Sequence, residues 1–122
     1  MTKINSYKEL FVWQKSIDLV TEIYQLTDKF PKSELYGLTN QMRRAAVSIP
    51  SNIAEGYLRK HLREYIQFLR ISFASGGELE TQIVIAKKLK FTTEQNFMKT
   101  ETLLEEVLKM LNKLISALVA KR

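Results

Sequence analysis

Cysteine is missing from this 122-residue chain. That removes disulfides and thiolate metal sites and suits a reducing compartment. Proline occurs twice and glycine four times, so few positions can break a regular backbone. The one histidine is His61. A ferritin-like di-metal bundle needs Glu-x-x-His pairs, and position 58 is Leu58, so that pattern fails. No phosphate-cradling glycine loop, zinc spacing or calcium loop is present. Ser48 and Ser51 have no nearby base in sequence to activate a hydroxyl. The opening segment MTKINSYKELFVWQK carries charges throughout and no apolar signal core. The longest charge-free stretch near the other end, residues 114–120, is far short of the ~20 apolar residues of a membrane span. These absences lead us to expect a cytoplasmic, non-enzymatic protein with no catalytic residues, no metal, no cofactor and no membrane contact.

What is present is helical periodicity without sustained alternation, which predicts an all-α chain. Residues 1–122 fit a single domain. Helix 1 is predicted over residues 7–30, opened by a Ser6/Glu9 capping box, with Leu10, Trp13, Ile17, Val20 and Tyr24 as its apolar stripe. Helix 2 should begin after Ser33 and end near Gly56, burying Leu35, Leu38, Met42, Ala45, Ile49 and Ile53. Pro50 should kink or restart it. Helix 3 is predicted over residues 61–89, with Leu62, Ile66, Leu69, Phe73, Ile83 and Val84 inward. Gly76 and Gly77 in its middle predict close approach of another backbone. Helix 4 is predicted over residues 94–120, capped by Thr92 or Thr93. Four amphipathic helices with short connections imply an antiparallel up-down four-helix bundle.

Net charge is +6, and residues 57–91 hold seven basic and three acidic groups. On helix 3, Arg59, Arg63, Arg70 and Lys88 are spaced to share one stripe at about 100° per residue, flanked by Lys60, Lys87 and Lys90. A line of fixed cations suits phosphate oxygens, so Arg59, Lys60, Arg63, Arg70, Lys87 and Lys88 are the candidate nucleic-acid-binding residues. With no aromatic RNA-reading motif beside them, RNA or DNA would be bound by charge and shape rather than base identity. The alternative is a solvated helix face. Glu80 falls within the predicted apolar stripe, where a carboxylate needs a partner. Arg43 and Arg44 with Glu55, Glu78 and Glu80 are therefore candidate structural ion pairs, aligning helices 2 and 3. Phe68, Ile71 and Ile85 lie off the stripe and mark an oligomer interface or a docking face for a protein partner.

Three blocks carry a family resemblance: residues 12–20 (VWQKSIDLV), 36–57 (YGLTNQMRRAAVSIPSNIAEGY) and 68–89 (FLRISFASGGELETQIVIAKKL). Together they resemble the four-helix-bundle family encoded within intervening sequences of bacterial 23S ribosomal RNA genes. The middle block is long and specific. The resemblance implies an antiparallel bundle with helix 2 continuing through Pro50, and assembly into a homopentameric ring. The family is similar to the accessory variability protein of diversity-generating retroelements, a basic pentamer that binds nucleic acid and a reverse transcriptase. By that likeness the basic residues here would form a nucleic-acid surface. Arg43 and Arg44 match the family motif, and no catalytic residue comes with it.

Overall fold

The computed structural model describes residues 6–121. Four helices, α1 (Phe11–Thr27), α2 (Asn40–Leu58), α3 (Leu62–Lys88) and α4 (Glu94–Val119), make up the fold, and no strand occurs among the described residues. Short connections reverse the chain between them. α1 packs on α2 and α4, and α3 on the same two. Cross-links confirm the antiparallel register of the first and last helices: Lys15 pairs with Glu106 at 3.1 Å and Lys99 with Glu22 at 3.0 Å.

The fully buried row of α1 is Val12, Ser16, Leu19, Ile23 and Leu26, while Leu10, Trp13 and Val20 of the predicted stripe are half-buried against the core. Ile17 and Tyr24 are instead exposed, at 38% and 42%. Two apolar rows compete on this helix. The winning row includes a serine, tolerated because its hydroxyl donates to the Trp13 carbonyl at 2.7 Å. The predicted Ser6 cap is present but opens a separate turn. Ser6 accepts from the Lys8 amide and caps a one-turn 3-10 helix, Tyr7–Glu9, ahead of α1.

After α1 the chain turns at Pro31, and Phe30 folds back into the core against Phe91 and Phe97. Residues 32–39 form a 3-10 turn and a wide π turn instead of the expected first turns of helix 2. Glu34, rather than Ser33, supplies the cap: its carboxylate accepts from the Leu38 amide at 3.3 Å. Leu35 is consequently exposed.

α2 continues through Pro50. Side-chain donors serve the carbonyls around it: Asn52 donates to Ser48 at 2.8 Å, and Ser72 to Ile49 at 2.9 Å. Ser48 and Ser75 share a further hydrogen bond of 2.9 Å across the helix pair. Gly56 lies inside α2 and does not stop it. A Cβ there would sit 2.6 Å from the Phe68 Cβ and 3.3 Å from the Tyr65 carbonyl, so glycine is what lets α2 and α3 touch.

α3 is unbroken. Gly76 meets a side chain rather than the expected backbone: a Cβ there would fall 2.5 Å from a methyl of Leu108 on α4. Gly77 faces open space. Phe73 and Val84 are exposed, and Leu79, Ser72, Ser75, Gln82 and Ala86 fill the inward positions. α3 leaves through a left-handed Lys90 (φ 57), with the Phe91 amide bonding the Ala86 carbonyl at 3.1 Å. A second left-handed residue, Lys60 (φ 60), makes the α2–α3 turn.

Two stability outcomes follow, both read by chemical denaturation. Gly56→Ala should lower stability by about 1–3 kcal/mol through overpacking against Phe68, despite the ~1 kcal/mol gained in helix propensity. Lys90→Gly should raise it by about 0.5–1 kcal/mol by relieving the left-handed backbone.

Candidate nucleic-acid surface

The expected cation stripe divides once the elements are placed. Arg59 is not on α3. It ends α2, where its guanidinium donates to Glu55 at 3.1 Å and to Glu64 at 3.5 Å and lies 5.0 Å over the Phe68 ring. Lys87 reaches α4, bonding Glu101 at 3.0 Å with Glu94 at 3.8 Å. The hydrogen bond to Glu101 raises its pKa above the usual lysine value. These two cations are therefore compensated. Lys60, Arg63, Arg70, Lys88 and Lys90 are exposed and have no acidic partner within ion-pair distance among the described residues. Arg63, Arg70 and Lys88 stay on one side of α3, so the stripe has three members on the helix, not four, with Lys60 at its leading end and Lys90 beyond its trailing end.

The expected ion pairs between helices 2 and 3 do not form. Arg43 binds α1 instead: its guanidinium donates to Thr27 Oγ1 at 2.9 Å and to Asp28 at 3.0 Å, and sits 4.6 Å over the Tyr24 ring. Arg44 is exposed without an acidic partner among the described residues. Glu55 serves Arg59, Glu78 accepts from Gln82 at 3.2 Å, and Glu80 is exposed. Glu80 needs no buried partner because the inward row of α3 runs through Leu79 and Ile83, one step round the helix. Serine hydroxyls join helices 2 and 3 along their length, and the one charge contact between them among the described residues is Arg59 at the end of α2 with Glu64 on α3.

Of the three residues expected at an interface, Phe68 is used within the chain, against Gly56 and beneath Arg59. Ile71 and Ile85 remain available, each 42% exposed. His61 is exposed and precedes the first turn of α3.

One group was not visible from spacing. Tyr7, Trp13, Tyr57 and Tyr65 come from four segments and meet edge-to-face at the Lys60 end of the bundle, with centroid separations of 5.4, 6.4 and 5.9 Å. Burial, with a smaller contribution from Tyr57, pushes the Tyr65 hydroxyl up to about 12, so it stays protonated at any physiological pH. The cluster backs Gly56 and braces the turn that carries Arg59 and Lys60. No helix among the described residues is long and apolar enough to cross a membrane.

Comparison with known proteins bears on the same residues. Among solved structures the chain is similar to the crystal structure of a protein of unknown function from the S23 ribosomal protein family of Bacteroides thetaiotaomicron VPI-5482. The two are 21% identical, the match covers 86% of this chain and 95% of that one, and the TM-score is 0.79. At that identity the likeness concerns the fold. No curated protein matches. A family model described as 23S rRNA-intervening sequence protein matches residues 8–113, which takes in all three sequence blocks, the Pro50 seam and every cation of the candidate surface. The chain belongs to the 23S rRNA-intervening sequence protein family.

Proposed function

We propose that this protein is a non-enzymatic, homo-oligomeric nucleic-acid-binding protein of the cytoplasm that contacts RNA or DNA through the exposed cations of α3 and its flanking turns. The observation that carries the reading is the run of uncompensated charge: Lys60, Arg63, Arg70, Lys88 and Lys90 lie along one long helix or its ends and have no acidic partner within ion-pair distance among the described residues. Exposed arginine and lysine without internal partners keep their full attraction for phosphate. The contacts would be weak singly. Several copies engaging one strand would add avidity without base readout. The family name, which ties its members to sequences interrupting 23S ribosomal RNA, agrees with a nucleic-acid setting. The ring of five implied by resemblance would present five such surfaces.

A second reading is a protein-interaction scaffold. Exposed Ile71, Phe73, Val84 and Ile85 on α3 favour it.

Binding to a generic single-stranded RNA and to duplex DNA, followed by fluorescence anisotropy across a salt series, separates the two. Affinity should fall steeply and linearly in log–log form as salt rises. The triple variant Lys60→Glu, Arg63→Glu, Lys88→Glu should flatten that slope by about two to three units. Reversal of Lys109, which pairs with Glu105 on α4, should leave it unchanged. Absence of binding at low ionic strength, or an unaltered slope in the triple variant, would sink the nucleic-acid reading.

A further inference from the structure

The turn between α1 and α2 holds an open pocket of about 250 Å³, away from the cations of α3. Phe30, Pro31 and Leu35 form its apolar wall. Thr27, Asp28, Lys32, Thr39 and Arg43 supply its polar groups.

Two of those groups keep unused hydrogen-bonding capacity. Thr21, Thr27, Thr81 and Thr102 each donate a hydroxyl to the carbonyl four residues back. Thr39 closes the kinked π turn Leu35–Thr39 and makes no such bond. Its oxygen is buried and has no hydrogen-bond partner among the described residues. An unpaired buried hydroxyl lowers stability, and folded proteins carry few. A threonine in a helix has two χ1 rotamers open to it, so this hydroxyl can turn to a ligand seated in the pocket. Arg43, one turn further along, is the second group. Its Nε is spent on Thr27 and one Nη2 bond on Asp28, while no hydrogen bond among the described residues uses Nη1. Those two bonds and the Tyr24 ring, 4.6 Å from the guanidinium, fix where the free donors stand.

Charge selects the class of ligand. Lys32 and Arg43 set two positive charges against Asp28, an excess of one. Lys32 is exposed and has no acidic partner within ion-pair distance among the described residues. Glu34, the other carboxylate of this turn, is held by the Leu38 amide and does not line the pocket. One excess charge matches a monoanion, whereas a phosphate dianion would be left under-compensated beside Asp28. A carboxylate accepts from a guanidinium edge and a hydroxyl together. The apolar wall calls for an apolar body.

The geometry points to a binding site for a small monocarboxylate with an apolar body. Its carboxylate takes the free donors of Arg43 and the Thr39 hydroxyl, Lys32 adds charge at the rim, and the body lies against Phe30, Pro31 and Leu35. The site goes beyond the nucleic-acid reading and does not depend on it.

Titration of benzoate into the full chain, followed by backbone amide chemical shifts, tests this. The shifts should saturate, centre on residues 27–43 and give a dissociation constant on the order of 1 mM. Benzamide has the same shape without the charge and should bind about tenfold more weakly. Thr39→Val removes only the hydroxyl. It should be at least as stable as wild type by chemical denaturation and bind benzoate about tenfold more weakly. A purely structural hydroxyl would do the opposite, lowering stability and leaving affinity alone. Arg43→Gln, with native helix content checked by circular dichroism, should abolish saturation, and Thr39→Val decides the matter if that variant does not fold. Absence of saturable shifts, benzamide binding as tightly as benzoate, equal competition by inorganic phosphate, or unchanged benzoate affinity in Thr39→Val would overturn the proposal. Salt-dependent nucleic-acid binding should be the same in Thr39→Val as in wild type, so the two readings fail separately.

Discussion

The contact on which the remaining architecture depends is the touch between α2 and α3 at Gly56. With no side chain at that position, the Phe68 Cβ and the Tyr65 carbonyl come as near as backbone allows. Further along the same pair, the Ser48–Ser75 and Ser72–Ile49 hydrogen bonds hold the helices in register beside a proline that removes one amide from the ladder. Hydroxyls at close range do this at less cost than buried ions, whose desolvation often exceeds their attraction. The small residues of RRAAVSIPSNIAEG thus serve a packing purpose, while its first arginine turns the other way and ties α2 to Asp28 at the end of α1.

Charge on this molecule is arranged by element ends. Arg59 and Lys87 lie near the two ends of α3, and both are held by carboxylates from neighbouring segments. Between and just beyond them stand cations with no such restraint. The difference lies in reach: Glu101 on α4 and Glu64 in the first turn of α3 come within bonding distance of the compensated pair, while the stretch from Asn112 to Ala120 beside Arg70, at the end of α4, has no acidic residue. The uncompensated cationic surface is thus narrower than composition suggests, and follows one edge of α3 and the turns at its ends.

Much of the fold was legible in the sequence, since the bounds of α3 and α4 are fixed by long periodic patterns and by turn chemistry at residues 59–61 and 89–93. The inward face of α1 was not, because Ser16 reads as polar until its hydroxyl is seen to bond its own helix. Gly56 read as a stop for the same kind of reason: its purpose lies across space, at Phe68. The exposed cation row was legible only in part. Spacing along one helix locates Arg63, Arg70 and Lys88, but whether Lys87 is neutralised depends on Glu101, fourteen residues away on another helix. The aromatic group at the Lys60 end joins four segments and has no signature along the chain.

The Lys15–Glu106 and Lys99–Glu22 ties bring the earliest helix against the latest. Closing that seam means closing a loop that spans nearly the whole polypeptide, whereas α2 and α3 meet across a three-residue turn. During synthesis the central hairpin can therefore assemble while α4 is still inside the ribosome, and α1, able to dock on α2, keeps the α4-facing side of its oily row uncovered until that helix emerges. For that interval the nascent chain offers a sticky helix that the finished protein conceals.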